Sequence, residues 1–347
     1  HNLSAGLSLN HDYLHQRLLL PAGVVPADYG NRYLLTRGIE SETTPGAYVQ
    51  YTYNLHNRMI AMAGLRIDHS NVYGTFFTPR FHLKWMPADL LTIRLSAGKG
   101  YRSPHALAEN NYLMASGRRL IIDNLEQEAA WNYGTSLSFL IPIGKQTLKL
   151  NADYYYTHFL SQAIIDYDAN PQELHITNLD GKSYSHTFQV DASYLFFNSL
   201  ELTAAYRYNL VKTTYGGQLL SKPLQGRYKA LVTASYKTTP LGLWQFDATA
   251  VLNGGGRMPQ PYTTPSGDLS WQPNFKAYGQ LNALVTRYFR HFSVYVGGEN
   301  LTNYKQKNPI IGYNNPWGNS FEPTMVYGPV QGAMAYIGVR VNLGKRL

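Results

Sequence analysis

Apolar and polar residues alternate one by one through most of this chain, and no other property restricts its fold as strongly. Between Gly332 and Leu343, the residues Ala333, Ala335, Ile337, Val339, Val341 and Leu343 share one parity; Met334, Tyr336, Gly338, Arg340 and Asn342 share the other. Trp244, Phe246, Ala248 and Ala250 stand in the same way against Gln245, Asp247 and Thr249. Successive side chains of an extended strand point to opposite faces, so each such segment has one greasy and one polar face. No stretch carries an equally clear helical period, and none is an unbroken apolar run of about 18 residues, which excludes helical membrane spans. The chain reads as all-β.

About fourteen such segments are expected, at residues 2–14, 46–56, 58–69, 77–86, 90–99, 127–141, 146–160, 182–197, 199–211, 225–238, 242–253, 275–288, 291–302 and 332–344. One set of connections is very short: His56-Asn57, Pro87-Ala88-Asp89, Gly144-Lys145, Asn198-Ser199, Thr239-Pro240-Leu241-Gly242 and Arg290-His291. These alternate with a set that is mostly long: 15–45, 70–76, 100–126, 161–181, 212–224, 254–274 and 303–331. Tight turns at one end and loops at the other are the pattern of a transmembrane antiparallel up-and-down β-barrel. Greek-key crossings in a soluble sandwich would scramble that order. Most segments also meet the roughly 9–11 residues that a tilted span requires.

The mean hydropathy of −0.30 averages two opposite faces and hides the membrane signal. The polar parity carries Arg94, Asp153, Asp191, Arg207, Asp247 and Arg340 within the expected spans. A packed soluble interior cannot hold so many charges, whereas a wet or plugged lumen can. Hydrocarbon offers the backbone no partners, so a sheet crosses it only as a closed cylinder with its apolar parity outward. Among the 29 Tyr and 5 Trp, Tyr51, Tyr53, Trp85, Trp131, Tyr133, Tyr154, Tyr206 and Trp244 cluster near the expected borders, as aromatic girdles do. With no Cys, disulfides, thiolate metal sites and cysteine nucleophiles are excluded. Ser, His and Asp are scattered and Gly-x-Ser-x-Gly is absent, so no enzyme is expected. The net charge of +9 is spread along strands instead of forming one stripe, which fits lumen lining or lipopolysaccharide contact and no nucleic acid.

Four motifs then occur in order. Gly98-Lys99-Gly100-Tyr101-Arg102-Ser103-Pro104 resembles the Gly-x-x-(Phe/Tyr)-Arg-x-Pro signature of TonB-dependent outer-membrane transporters. Asn124-Leu125-Glu126-Gln127-Glu128, followed by Trp131-Asn132-Tyr133-Gly134, is similar to the family's Asn-Pro-x-Leu-x-Pro-Glu passage, without its prolines. Ile176-Thr177-Asn178-Leu179-Asp180-Gly181 resembles the Tyr-x-Asn-x-Gly that precedes a Gly-Val-Glu strand, here Phe188-Gln189-Val190-Asp191. Val296-Gly297-Gly298-Glu299-Asn300-Leu301-Thr302-Asn303-Tyr304 looks like the family's Val-x-Asn-Leu-Phe-Asp-x-x-Tyr hairpin.

The resemblance implies a 22-stranded barrel with a plugged lumen, of which residues 1–347 would be the C-terminal part, with the plug and about eight strands upstream. It implies import of a bulky scarce solute, driven by the TonB-ExbB-ExbD complex. The ligand is expected to be a metal chelate (a ferric siderophore, haem, cobalamin or a copper complex), with a surface lipoprotein as a further candidate partner; no resident cofactor is implied. A passive fourteen-stranded porin or fatty-acid-type channel is the alternative.

Ligand contacts are expected on loops held by the rigid wall. The loop from Tyr101 to Asn124 offers His105, Glu109, Asn111, Tyr112, Met114, Arg118 and Arg119. His105 follows the Arg-x-Pro element at the place where haem-receptor relatives carry an iron-ligating histidine, so it is the candidate metal ligand. Met114 is a soft donor for copper, and Arg118 and Arg119 suit an anionic chelate. The loop 254–274 adds Arg257, Tyr262 and Trp271, and the loop 303–331 adds Tyr313 and Trp317, aromatic surfaces for a planar or sugar-like ligand.

Overall fold

The computed structural model describes residues 1–16, 39–238, 241–263, 270–318 and 320–341. Its main sheet is a single antiparallel path of fourteen wall strands, each paired with the next wall strand along the chain. The first part comprises β1 (Asn2–His15), β2 (Ile39–Leu55), β3 (Met59–Ser70), β4 (Gly74–Ala88) and β5 (Leu91–Arg102). Three strands then sit in loops: β6 (Arg119–Ile122), β9 (Ala163–Asp166) and β10 (Glu173–Asn178). The wall continues through β7 (Glu128–Ile143), β8 (Gln146–Ser161), β11 (Ser183–Phe196) and β12 (Leu200–Tyr215), which carries the short β13 (Gln218–Ser221). It ends with β14 (Tyr228–Lys237), β15 (Trp244–Asn253), β18 (Tyr278–Tyr288), β19 (Phe292–Glu299) and β20 (Met334–Val341). A two-residue ribbon, β16 (Gly256–Arg257) and β17 (Asn274–Phe275), lies within the loop after β15.

Each of the fourteen expected segments is a wall strand, several being longer on the loop side than the alternation indicated. The expected loop 15–45, the turn residues Thr239 and Pro240 and the end of the last segment at 342–344 lie partly or wholly outside the described residues. Several connections differ. Residues 39–45 of the expected loop 15–45 belong to β2 and pair with Leu9–His15 of β1, and the expected loop 212–224 is largely a hairpin in which β12 and β13 pair from Lys212↔Ser221 to Tyr215↔Gln218. Residues 70–76 were expected to form a loop, but β3 and β4 pair up to Ser70↔Gly74, leaving three residues between them. The Ser70 hydroxyl accepts from the amides of Val72 (3.1 Å) and Tyr73 (3.2 Å), and Gly74 takes a φ of +80°, so local chemistry closes the turn. The turn at His56 and Asn57 has φ of 48° and 58°, the left-handed pair that matches strand twist.

Exposure along the wall is inverted relative to a soluble protein. On β15, Trp244, Phe246, Ala248, Ala250 and Leu252 are exposed while Gln245, Asp247, Thr249 and Asn253 are half-buried. Val232 and Val296, on interior strands, are 52% and 54% exposed. The inward face is hydrogen-bonded instead: the Ser235 hydroxyl donates to Asp247 (2.6 Å), Asn151 to Asp191 (2.8 Å), and Arg207 donates twice to Gln189 (2.9 and 2.7 Å). Aromatic pairs mark both borders of the outward band. Trp131–Tyr133 and Tyr206–Tyr228 stand on the loop side, and Trp244–Phe246 and Phe289–Phe292 on the turn side.

Almost none of the buried apolar core is in the wall, where only Ala129 and Tyr215, both at loop-side strand ends, are buried among the described residues. Leu107, Leu113, Leu120, Ile122, Tyr167, Leu174, Ile176, Met258, Trp271, Phe275 and Met325 form one cluster, and every one of them belongs to a loop-side segment. The four long loops therefore condense into a cap with a conventional interior.

Candidate ligand-binding cap

The cap begins where β5 ends. Arg102 is clamped by Glu128 and by Glu109 (2.8 Å), which fixes the exit of the chain through Ser103 and Pro104. A one-turn helix, α1 (Ala106–Asn110), and a 3-10 turn, Asn111–Ala115, follow and bury Leu107 and Leu113. Next, β6 pairs in parallel with β10, and β10 pairs antiparallel with β9. Alternation works here as in the wall, but with the apolar side inward: Leu120, Ile122, Leu174, Ile176 and Ile164 are all buried. In the last loop, Gln306 donates to the Met325 carbonyl (2.8 Å) and accepts from the Tyr327 amide (2.8 Å), which holds Met325 in the core.

Two ion pairs tie the loops together. Arg118 Nε meets Glu322 at 3.0 Å, with side chains only 3% and 2% exposed. Glu322 also accepts from the Ser116 hydroxyl (2.9 Å) and from the Thr324 amide (2.8 Å) and hydroxyl (2.5 Å). Arg257 pairs with Asp168 at 2.8 Å and donates to the Ser221 carbonyl at 2.7 Å. In each guanidinium the Nη2 atom is buried without a partner. Burial lowers the Arg118 pKa against the opposing pull of Glu322, and it raises that of the Tyr167 phenol, to which the Tyr112 hydroxyl lies close (3.4 Å). Burial also pushes Tyr327 up to about 12, while His175 and Arg119 hold Glu173 below the usual carboxylate range.

Several cavities open among these elements, one of them beside His105 and Glu109, and two are lined in part by the apolar cluster. The first of these two, about 730 Å³, lies against β9 and β10; Arg102, Glu109, Tyr112, Tyr167, Tyr215 and Lys222 are among its lining. Its charges are largely matched, since Arg102 is already held by two carboxylates. The second, about 980 Å³, lies at the loop-side lip of β18 and β19. Trp271, Phe275, Tyr304 and Tyr327 give it aromatic walls, with Phe275 and Tyr327 stacked at 4.3 Å. Lys276, Lys305 and Lys307 stand at it exposed, and among the described residues no Asp or Glu lines it and none of the three has an ion-pair partner. A cavity of this volume with unmatched cations and flat apolar walls suits an anionic, partly aromatic small molecule.

Of the twelve residues singled out from sequence, eleven fall into three groups and His105 stands apart. Glu109 and Tyr112 line the first cavity and Trp271 the second. Arg118 and Arg257 are framework, buried in the ion pairs above, and Tyr262 packs edge-on against Trp271 at 5.5 Å. Asn111, Met114 and Tyr313 are exposed, Trp317 is 96% exposed, and Arg119 is spent on Glu173 at 2.5 Å. His105 Nδ1 lies 2.7 Å from Glu40, and among the described residues no group of three His, Asp or Glu converges there or elsewhere. Lys276, Lys305 and Lys307 were not anticipated. Lys305-x-Lys307 places two cations on one side of an extended segment, but nothing local shows that their countercharge is missing.

Residues 1–301 match the family model described as TonB dependent receptor-like, beta-barrel. No curated protein sequence matches the chain. Among solved structures it is similar to a ferric enterobactin receptor mutant from Pseudomonas aeruginosa in complex with enterobactin (TM-score 0.69, 15% identity, 97% of this chain and 51% of that one). It is also similar to the siderophore receptor PirA from Acinetobacter baumannii (0.68, 16%, 97% and 51%). The FrpB iron transporter from Neisseria meningitidis is a third (0.64, 15%, 97% and 52%). This chain spans about half the length of the solved structures it matches.

Proposed function

This chain belongs to the TonB dependent receptor-like β-barrel family, whose members are outer-membrane barrels, and on that premise we propose that it serves high-affinity capture and TonB-driven import of an anionic metal chelate. The observation that carries this reading is the aromatic cavity at the lip of β18 and β19, with Lys276, Lys305 and Lys307 unmatched by any described carboxylate. A ferric siderophore, haem, cobalamin or copper complex is bulky, and several of these carry net negative charge on a partly flat frame. Similarity to a siderophore receptor and an iron transporter supports the same class. In this reading the fourteen strands are the C-terminal part of a 22-stranded wall, with the plug and the TonB-contacting segment upstream. The outer edges of β1 and β20, unpaired among the described residues, fit neighbours supplied by further strands, since hydrocarbon satisfies no backbone group. The work is non-covalent: a site that binds the chelate when the lumen is closed and releases it when TonB rearranges the plug.

The test is growth of a deletion strain on single sources of iron chelate, haem, cobalamin or copper, paired with ligand titration of the full-length protein. One source should become limiting, and Lys276→Gln/Lys305→Gln/Lys307→Gln should weaken binding of that chelate and flatten its salt dependence. Normal growth on every source, together with ion conductance by the purified protein in planar bilayers, would instead support the passive channel.

A further inference from the structure

Five neighbouring wall strands bring a row of polar side chains to the lipid-facing side of the sheet, at its loop end. The pairings Lys99↔Trp131, Trp131↔His158, His158↔Tyr184 and Tyr184↔Lys212 run across β5, β7, β8, β11 and β12. Directly paired residues share a face, and this one is the face of Phe139, Leu150, Ala192 and Ala204. One pairing step toward the turn side, Tyr133↔Tyr156 and Tyr156↔His186 continue the polar zone, with His186 Nδ1 2.8 Å from the Tyr154 hydroxyl.

The height of the row follows from β7. Ten residues separate Trp131 from Ile141, which sits beside the tight turn at Gly144. At about 3.4 Å per residue and a tilt of about 40° that is roughly 26 Å, the thickness of a barrel's apolar band. The row therefore lies at the outer headgroup level.

Its charge is unbalanced. No Asp or Glu falls on this face of the five strands, and neither Lys99 nor Lys212 has an ion-pair partner among the described residues. The loop-side arginines Arg102, Arg118, Arg119 and Arg257 all meet carboxylates. Lysines at the edge of hydrocarbon extend toward the headgroups, and what they meet there is lipid phosphate. Four inter-strand steps of about 4.8 Å separate the two lysines, roughly 19 Å, which is too wide for one phosphate and suits a broad sugar headgroup phosphorylated at separated positions.

We propose that the row from Lys99 to Lys212 is a binding site for the phosphorylated glycolipid of the outer leaflet. The lysines hold phosphates, and the Trp131, His158 and Tyr184 side chains between them hydrogen-bond sugar hydroxyls. The site is tested on the full-length protein extracted from its own membrane, by native mass spectrometry of retained lipid A-bearing lipid. Lys99→Met/Lys212→Met should lower occupancy about 30-fold, from the usual contribution of one lysine near anionic lipid taken twice. Lys149→Met, on the opposite parity of β8, should leave it unchanged. In nanodiscs of phosphatidylethanolamine doped with lipid A, the unaltered protein should enrich the bisphosphorylated form over the dephosphorylated one. Equal occupancy in the double variant and the parent overturns the site. Equal enrichment of the two lipid A forms does so as well, and that arm decides even if the double variant fails to insert.

Discussion

Removing the Glu322 carboxylate is the sharpest perturbation of the cap. Glu322→Ala deletes four acceptor contacts, to Arg118 Nε, to the Ser116 hydroxyl and to the Thr324 amide and hydroxyl. The guanidinium left behind is 97% buried by the 3% exposure of its side chain, and its Nη2 already lacks a partner. Breaking a buried pair from one side costs about 3–5 kcal/mol, because the remaining charge stays desolvated. Between loops the penalty falls on the local opening of the cap and spares the wall. At about 1.4 kcal/mol per factor of ten, amides such as Gly117, bonded to the Phe321 carbonyl, should exchange some two to three and a half powers of ten faster. Amides within β11 and β12 should keep their rates. Arg118→Met/Glu322→Leu should recover most of the loss, since a buried pair roughly breaks even against apolar side chains. Hydrogen exchange read by mass spectrometry separates these outcomes. Native protection in the single variant, or a double variant as open as the single, would refute the claim that this pair clamps the loops.

Three further outcomes follow from the same geometry. Trp271→Ala removes a buried ring that donates to the Pro259 carbonyl (2.8 Å) and packs on Tyr262, and should destabilise the cap by about 3–5 kcal/mol, measured by limited proteolysis of the loops. Val232→Arg places a charge on the lipid face and should cost about 2–4 kcal/mol in urea-dependent insertion into vesicles, whereas Thr233→Arg, its lumen-side neighbour, should cost far less; equal penalties would place both residues in one environment. Tyr167 and Tyr327 ionise later in the folded cap than in an unfolded chain, so the cap binds more protons than the unfolded loops once pH passes about 10. Cap stability should therefore fall as pH rises above that value, and loop proteolysis across an alkaline series checks the sign.

The wall was legible because period two repeats over eight or more residues per strand, long enough to survive local exceptions such as the bulge between Trp85 and Ala88. The cap was not, although its strands obey the same rule. Leu120 and Ile122 alternate with Arg119 and Ile121 over only four residues, too few to stand out from a loop. Its decisive contacts are also remote in sequence: Ser116 and Glu322 are 206 residues apart. Arg118 reads as a ligand arm until that carboxylate is seen beside it. Conversely, the three lysines of the second cavity gain meaning only from the absence of acids around them, a fact of spatial arrangement. At Ser70 a single hydroxyl made a turn where composition pointed to a loop.

The placement of the apolar cluster reverses the usual map of mutational tolerance. In the wall, Val232, Val296 and their like touch fluid lipid, which asks only for greasiness and accepts almost any shape. Leu113, Leu174, Ile176 and Met325 sit in a solid that demands a fit, although all four occupy what a strand diagram draws as decoration. Divergence among related chains should accordingly run fast along the membrane face and slowly at these loop positions.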